Sequence, residues 1–109
     1  MGLAASQARI LMLTARKSNL ELSLQFINQA RMQLANMTSG LFNQQANLEP
    51  DSPYTQRLNA QIASIQSRDK QFEMESKRID TQHQSVQTEI DAVAKVISKN
   101  VESSFKLMG

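Results

Sequence analysis

Residues that break α-helices are confined to the two ends and the middle of this 109-residue chain. Proline occurs only at positions 50 and 53, and glycine only at positions 2, 40 and 109. Proline inside a helix removes a backbone hydrogen bond and clashes with the preceding turn, so a helix has to end before Pro50. The distribution predicts two long helices joined by a short turn.

The start of the second helix is the best defined of the helix ends. Ser52 is a residue type that caps the free N–H groups of a helix, and Pro53 suits the first helical position. Gly40 leaves alternatives open: it ends or kinks the first helix, which we favour, or marks close contact between subunits. The expected bounds are about 4–47 for the first helix, about 48–52 for the turn and about 53–107 for the second helix.

Apolar residues recur every seven positions on both sides of the turn, which is the period of a coiled coil. The companion positions of the heptads are mixed and include Lys17, Arg31, Asp69, Ser76 and His83. The apolar positions are Leu13, Leu20, Ile27, Leu34, Leu41, Leu58, Ile65, Phe72, Ile79, Val86 and Val93.

Folding the chain about Pro50 brings the two apolar stripes into register. Position 41 then faces 58, position 27 faces 72 and position 13 faces 86, so that the two numbers of each pair add up to 99. Turn chemistry and heptad phase agree independently, which supports their belonging to one fold. We therefore predict an all-α protein with one domain, a long antiparallel two-helix hairpin whose second helix overhangs the first at its C-terminus.

Two apolar surfaces have no partner inside this hairpin. Residues 99–109 have nothing opposite them, and the first helix carries a second apolar line offset from its heptad stripe. A helix that is apolar on more than one side is normally buried on more than one side, here by other chains. The expected subunit-interface residues are Leu11, Leu22, Phe26, Met37, Val93, Val96, Ile97, Val101, Phe105, Leu107 and Met108, and the turn residues are Pro50, Ser52 and Pro53.

Catalysis and metal binding are not expected. Cysteine is absent, and the single histidine, His83, has Asp80 one turn away but faces Arg16 in the register above. Glu73, Glu75 and Asp80 lie among basic residues and fit surface salt bridges better than paired acid and base groups. We predict that the protein is not an enzyme and has no catalytic residue, cofactor or metal.

Composition also limits the classes of partner that the protein is expected to bind. The net charge is only +2, so nucleic acid is not an expected partner, and the basic residues of the first helix suit a solvated or intersubunit face. No run approaches the roughly 20 apolar residues of a membrane span. The N-terminus lacks a conventional signal peptide, so export would use a dedicated machine.

The turn Asn47-Leu48-Glu49-Pro50-Asp51-Ser52-Pro53, followed by a polar helix with an apolar end, resembles that of the needle subunits of type III secretion systems. The resemblance covers the second half, through Pro50, Pro53 and the tail from Val96 to Phe105. The first helix is longer and more apolar than in those subunits. The resemblance implies export without a cleaved signal and polymerisation into a helical tube.

We therefore expect a structural subunit of a helical bacterial filament or tube, whose partners are copies of itself and an export apparatus. Its expected location is extracellular or on the cell surface, with the cytoplasm as the alternative. A soluble coiled-coil adaptor or export chaperone, binding a partner helix through the same apolar tail, is the alternative function. A peripheral membrane helix protein is a third hypothesis.

Overall fold

The protein is an all-α helical hairpin in the computed structural model, which describes residues 2–108. It has two helices, α1 (Leu3–Ala46) and α2 (Pro53–Met108), and the described residues contain no strand. α1 has 44 residues and α2 has 56 residues. The fold class predicted from the positions of proline and glycine is confirmed.

The turn between the helices is held by hydrogen bonds that converge on one carbonyl group. The Glu49 carbonyl oxygen accepts from the Ser52 N–H at 3.1 Å and from the Thr55 hydroxyl at 2.6 Å. The first bond closes a four-residue turn with Pro50 in its second position, where the fixed φ of proline is favourable. Thr55 is buried, and its hydrogen bond to Glu49 joins the turn to the first turn of α2.

Ser52 caps α2 as its position before Pro53 predicts. Its side-chain Oγ accepts a hydrogen bond from the Tyr54 N–H at 3.1 Å, and its carbonyl accepts the helical bond from Gln56 at 3.2 Å. Pro53 is the first residue of α2, where its missing N–H costs nothing. α1 ends without a glycine, through bonds from Asn47 and Leu48 to carbonyls three residues earlier.

The chain forms two compact units, each with one stretch of both helices. The turn unit is Leu24–Arg78, and the terminal unit contains the residues up to Ser23 together with those from Ile79 onward. In the turn unit the Arg31 side chain bonds that of Asp69, and the Gln45 amide bonds that of Asn59. As the residue number rises in one helix it falls in the other, so the helices of this unit are antiparallel.

The terminal unit has the same arrangement. Arg9 Nη2 lies 2.7 Å from Glu89 Oε2, and Glu21 Oε1 lies 2.9 Å from His83 Nε2. The Arg9–Glu89 pair, like Arg31–Asp69 in the turn unit, agrees with the predicted register to within one residue. In this unit, too, the stretches of α1 and α2 therefore run antiparallel to each other.

The predicted heptad positions form the buried seams of the two units. Seven of the eleven are buried and the other four, Leu20, Leu41, Phe72 and Val93, are half-buried. Ile62 is also buried, on the companion line that sequence analysis described as mixed. Burying each such side chain stabilises the hairpin by roughly 1.5–3 kcal/mol, before losses of conformational entropy.

Three details complete or correct the sequence-based expectations. α1 ends at Ala46, within one residue of the expected bound of 47, so Gly40 does not end the helix; a single glycine in a helix is tolerated when flanking residues favour the helix. Arg9 and Arg31 lie on a partly exposed face, where acidic side chains of α2 also bind them. His83 has Glu21, not Arg16, as its partner across the seam.

Candidate subunit interface

The two helices differ sharply in how they are charged. α1 carries only five charged residues, whereas α2 carries fifteen, of which eight are basic and seven acidic. Exposed large apolar side chains are instead more frequent on α1. Between residues 53 and 100, α2 has only two of them, Tyr54 and Met74. Those of α1 are Leu3, Leu11, Met12, Leu22, Phe26, Met32, Met37 and Phe42.

The α1 residues predicted to contact other subunits are all exposed. In the terminal unit these are Leu11 and Leu22, and Leu11 has 71% of its surface accessible. In the turn unit they are Phe26 and Met37, with accessible fractions of 62% and 54%. Apolar side chains of this size gain free energy when another surface covers them.

The C-terminal segment, defined as residues 101–108, is the most exposed apolar part of the chain within the residues that the structure describes. It is helical, yet Phe105, Leu107 and Met108 are 72%, 90% and 86% exposed, and Val101 is exposed as well. The remaining predicted interface residues of α2 are half-buried: Val93, Val96 and Ile97. Val93 and Ile97 continue the buried heptad lines, so their apolar groups also serve the seam of the terminal unit.

An open groove runs along the turn unit between α1 and α2. Its central part encloses about 500 Å³ and is lined by Leu34, Leu41 and Ile65, with Gly40 and Ser64 at its sides. A neighbouring part of about 620 Å³ extends it toward the turn. Both parts share Gln44 and Gln61, and the second adds Leu48, Tyr54, Arg57 and Leu58. Sequence analysis did not predict this groove, because it depends on how side chains of two helices leave space between them.

Gly40 is not required by the packing of the chain itself. A β-carbon added at this position would meet nothing within 4 Å, and the backbone there has no positive φ. Glycine in a helix interior destabilises the helix by roughly 0.8–1 kcal/mol relative to alanine. The residue therefore leaves an opening on the groove at a cost in helix stability.

Polar side chains interrupt the seam of the turn unit at one ion pair. Arg31 donates from Nε to Asp69 Oδ1 at 2.7 Å and from Nη2 to Asp69 Oδ2 at 3.3 Å. These hydrogen bonds, with the attraction of the opposite charges, hold the pKa of Asp69 below its ordinary value, although desolvation opposes the shift. They also raise the pKa of Arg31. The fork-like pair is specific in geometry and favours one alignment of the helices.

The seam of the terminal unit contains the His83–Glu21 contact. Its side chains are partly accessible, at 27% for His83 and 52% for Glu21. Sequence analysis did not predict this contact, because Glu21 lies outside the heptad positions and the predicted register places Arg16 opposite His83. Within residues 2–108, no three acidic or histidine side chains come together to hold a metal ion.

The carboxylates near residue 75 pair with basic residues on the same helix. Lys77 Nζ lies 3.2 Å from Glu73 Oε1, and Arg78 Nη2 lies 3.8 Å from Glu75 Oε1. These pairs are one helical turn apart and exposed, so they add little to stability. The prediction that Glu73 and Glu75 form surface salt bridges is confirmed.

Comparisons with protein-family models, with curated proteins and with solved structures find no match to this chain. Neither helix, over its described residues, has a segment long and apolar enough to cross a membrane.

Proposed function

We propose that the protein is a structural subunit that assembles with copies of itself into a filament or tube. The observation that carries this proposal is the C-terminal segment, where Val101, Phe105, Leu107 and Met108 are exposed along a helix. A helical end with this much apolar surface gains free energy when a partner covers it. The exposed apolar side chains of α1 supply further contact surface in each unit.

Self-association accounts for the uneven distribution of charge. A charged α2 keeps the assembly hydrated, while an α1 with few charges loses little hydration when another chain covers it. Assembly outside the bacterial cell, after export by a specialised secretion system, rests on the resemblance of the turn and tail to needle subunits. The exported protein would then polymerise where its concentration rises.

The test compares the purified protein with a variant in which Val101 and Phe105 are both changed to Ser. Sedimentation velocity and electron microscopy of the wild type are expected to show long, uniform filaments, and the variant should stay helical but sediment as a small species. Met74→Ser, which alters an exposed apolar residue among the charges of α2, is the matched control and should assemble like the wild type.

Two outcomes contradict the proposal. A wild-type protein that remains monomeric at high concentration is not a filament subunit, and a small closed oligomer that captures a foreign helix favours the adaptor function. Normal assembly of the Val101/Phe105 variant removes the C-terminal segment from the interface.

A further inference from the structure

We propose that the groove of the turn unit receives the C-terminal segment of a second copy of the chain. This inference rests on the proposed self-assembly and names the two surfaces that meet. The segment cannot occupy the groove of its own chain, because α2 is one continuous helix and also lines that groove. A helix end cannot pack against the side of the same helix, so the occupant is another copy.

The segment has the side-chain spacing of a helix that binds in a groove. Val101, Phe105 and Met108 are separated by four and three residues and lie on one side of α2. Such spacing is typical of anchors that an amphipathic helix inserts into an apolar groove. At a rise of about 1.5 Å per residue, these anchors span about 11 Å, and the groove from Leu34 to Gln44 spans about 15 Å.

Gly40 supplies an independent observation. The packing within the chain leaves the space beside it open, and the backbone conformation there suits any residue. Glycine is the residue that permits close approach to a backbone. A helix docked against α1 at this point uses the opening, which explains a glycine that destabilises the free helix.

The charges of the two surfaces are complementary. Arg57 and Arg68 line the wall of the groove, and the exposed residues Glu49 and Asp51 lie in the turn just beyond its lining. The C-terminal segment carries Glu102 and Lys106, which are one helical turn apart and form a salt bridge of 3.7 Å. Docked with its C-terminus toward the turn, the segment places Glu102 near Arg57 and Lys106 near the acidic turn.

The contact joins two different surfaces, and each copy offers one segment and one groove. Such a contact extends along an open row of copies in a filament, whereas a ring or a reciprocal dimer is its closed form. Loss of either surface stops growth, but a copy that lacks only the segment still accepts one neighbour. This property permits a test by mixing.

The test uses a groove variant, Gly40→Gln, and a segment variant with Val101 and Phe105 changed to Ser. The glutamine fills the opening without meeting another atom at its β-carbon, so α1 is expected to remain folded. Ser39→Gln places the same side chain on the neighbouring exposed position and is the matched control. Ser64→Gln, which narrows the groove from α2, is a second groove variant in case Gly40→Gln unfolds.

Each variant alone is expected to associate at least tenfold more weakly than the wild type in sedimentation velocity. An equimolar mixture should form a 1:1 dimer that grows no further, since only one intact segment and one intact groove meet. Circular dichroism of each variant checks that the helices are kept, and the Ser39→Gln control should form wild-type assemblies.

The docking proposal is overturned if both groove variants fold and assemble like the wild type, or if the mixture stays monomeric. If the wild type and the groove variants form filaments and the segment variant is monomeric, the docking site is wrong but the proposed function is supported. A wild type that never assembles contradicts both proposals.

Discussion

Asp69 occupies a companion position of the heptad, where a seam is usually apolar, and Arg31 binds both of its carboxylate oxygens. The bidentate pair is directional, so sliding the helices past each other would leave both groups without their partner. Ile62 lies one heptad away and buries apolar surface only, a contact that tolerates small shifts. The ion pair therefore contributes alignment more than burial.

The pKa of Asp69 gives this pair a pH dependence with a defined sign. Because its pKa is lower in the folded chain than in the unfolded chain, its contribution is present above about pH 4 and is lost as the pH falls through the folded value. Asp69→Asn should therefore unfold at a lower urea concentration than the wild type at pH 7, and the difference should shrink steadily below pH 4. The raised pKa of Arg31 leaves that group charged throughout this range.

Arg9 and Glu89 provide the comparison for Asp69. Their pair is more exposed, at 47% and 48% of side-chain surface, although its nitrogen and oxygen atoms are also 2.7 Å apart. Glu89→Gln should therefore change urea unfolding less than Asp69→Asn does at pH 7. Equal effects of the two substitutions at all pH values would mean that Asp69 has no special role in the seam.

At the scale of the elements, the N-terminus of α2 is fixed by a local hydrogen bond of its capping residue. Ser52 Oγ satisfies the Tyr54 N–H, and its effect is independent of the seam. Ser52→Ala should lower the free energy of unfolding by about 1 kcal/mol, because the cap hydrogen bond is lost. Chemical denaturation measures this, and Ser52→Asp, which restores an accepting oxygen, should recover most of the loss. An alanine variant as stable as the wild type would show that the two hydrogen bonds to the Glu49 carbonyl fix the turn without the cap.

The bounds of the helices and their buried lines could be predicted from sequence because each depends on local chemistry or on a repeated spacing. Pro53 and Ser52 mark the start of α2, and the seven-residue period identifies Leu13 and Val86 as buried. The role of Gly40 was harder to predict from sequence. Glycine has the same low helix propensity at a helix end as at a helix interior that a neighbouring chain covers. The full burial of Ser6, a polar residue, follows from its position seven residues before Leu13 on the heptad line.

The candidate interface was predictable only in part. Exposure of Phe105 and Met108 follows from the length difference between the helices, which the turn position fixes. The groove beside Gly40 depends on side chains of both helices, and no spacing in either helix alone encodes it. The Glu21–His83 contact likewise joins residues 62 positions apart through one particular rotamer of each side chain.

For the whole molecule, the predicted register can be tested by crosslinking, because the chain has no cysteine of its own. In the turn unit, Ile27 and Phe72 are a facing pair of the heptad stripes, with Ile27 buried and Phe72 half-buried. Cysteines introduced at both positions should form a disulfide within one chain under mild oxidation. Nonreducing electrophoresis would then show a faster-migrating monomer, and Leu13 with Val86 provides the same test in the terminal unit.

The control pair is Ile27 with Ile65, both buried in the turn unit but far apart in the predicted register. It should form no disulfide within a chain, since β-carbons of a disulfide lie only about 3.5–4.5 Å apart. Crosslinks between chains at Ile27 and Phe72 would instead mean that two copies exchange helices, because a long hairpin with one turn can open and pair with a neighbour through the same heptad surfaces. The exchanged form would bury the same residues, so the distribution between monomer and dimer bands decides between the closed and the exchanged hairpin.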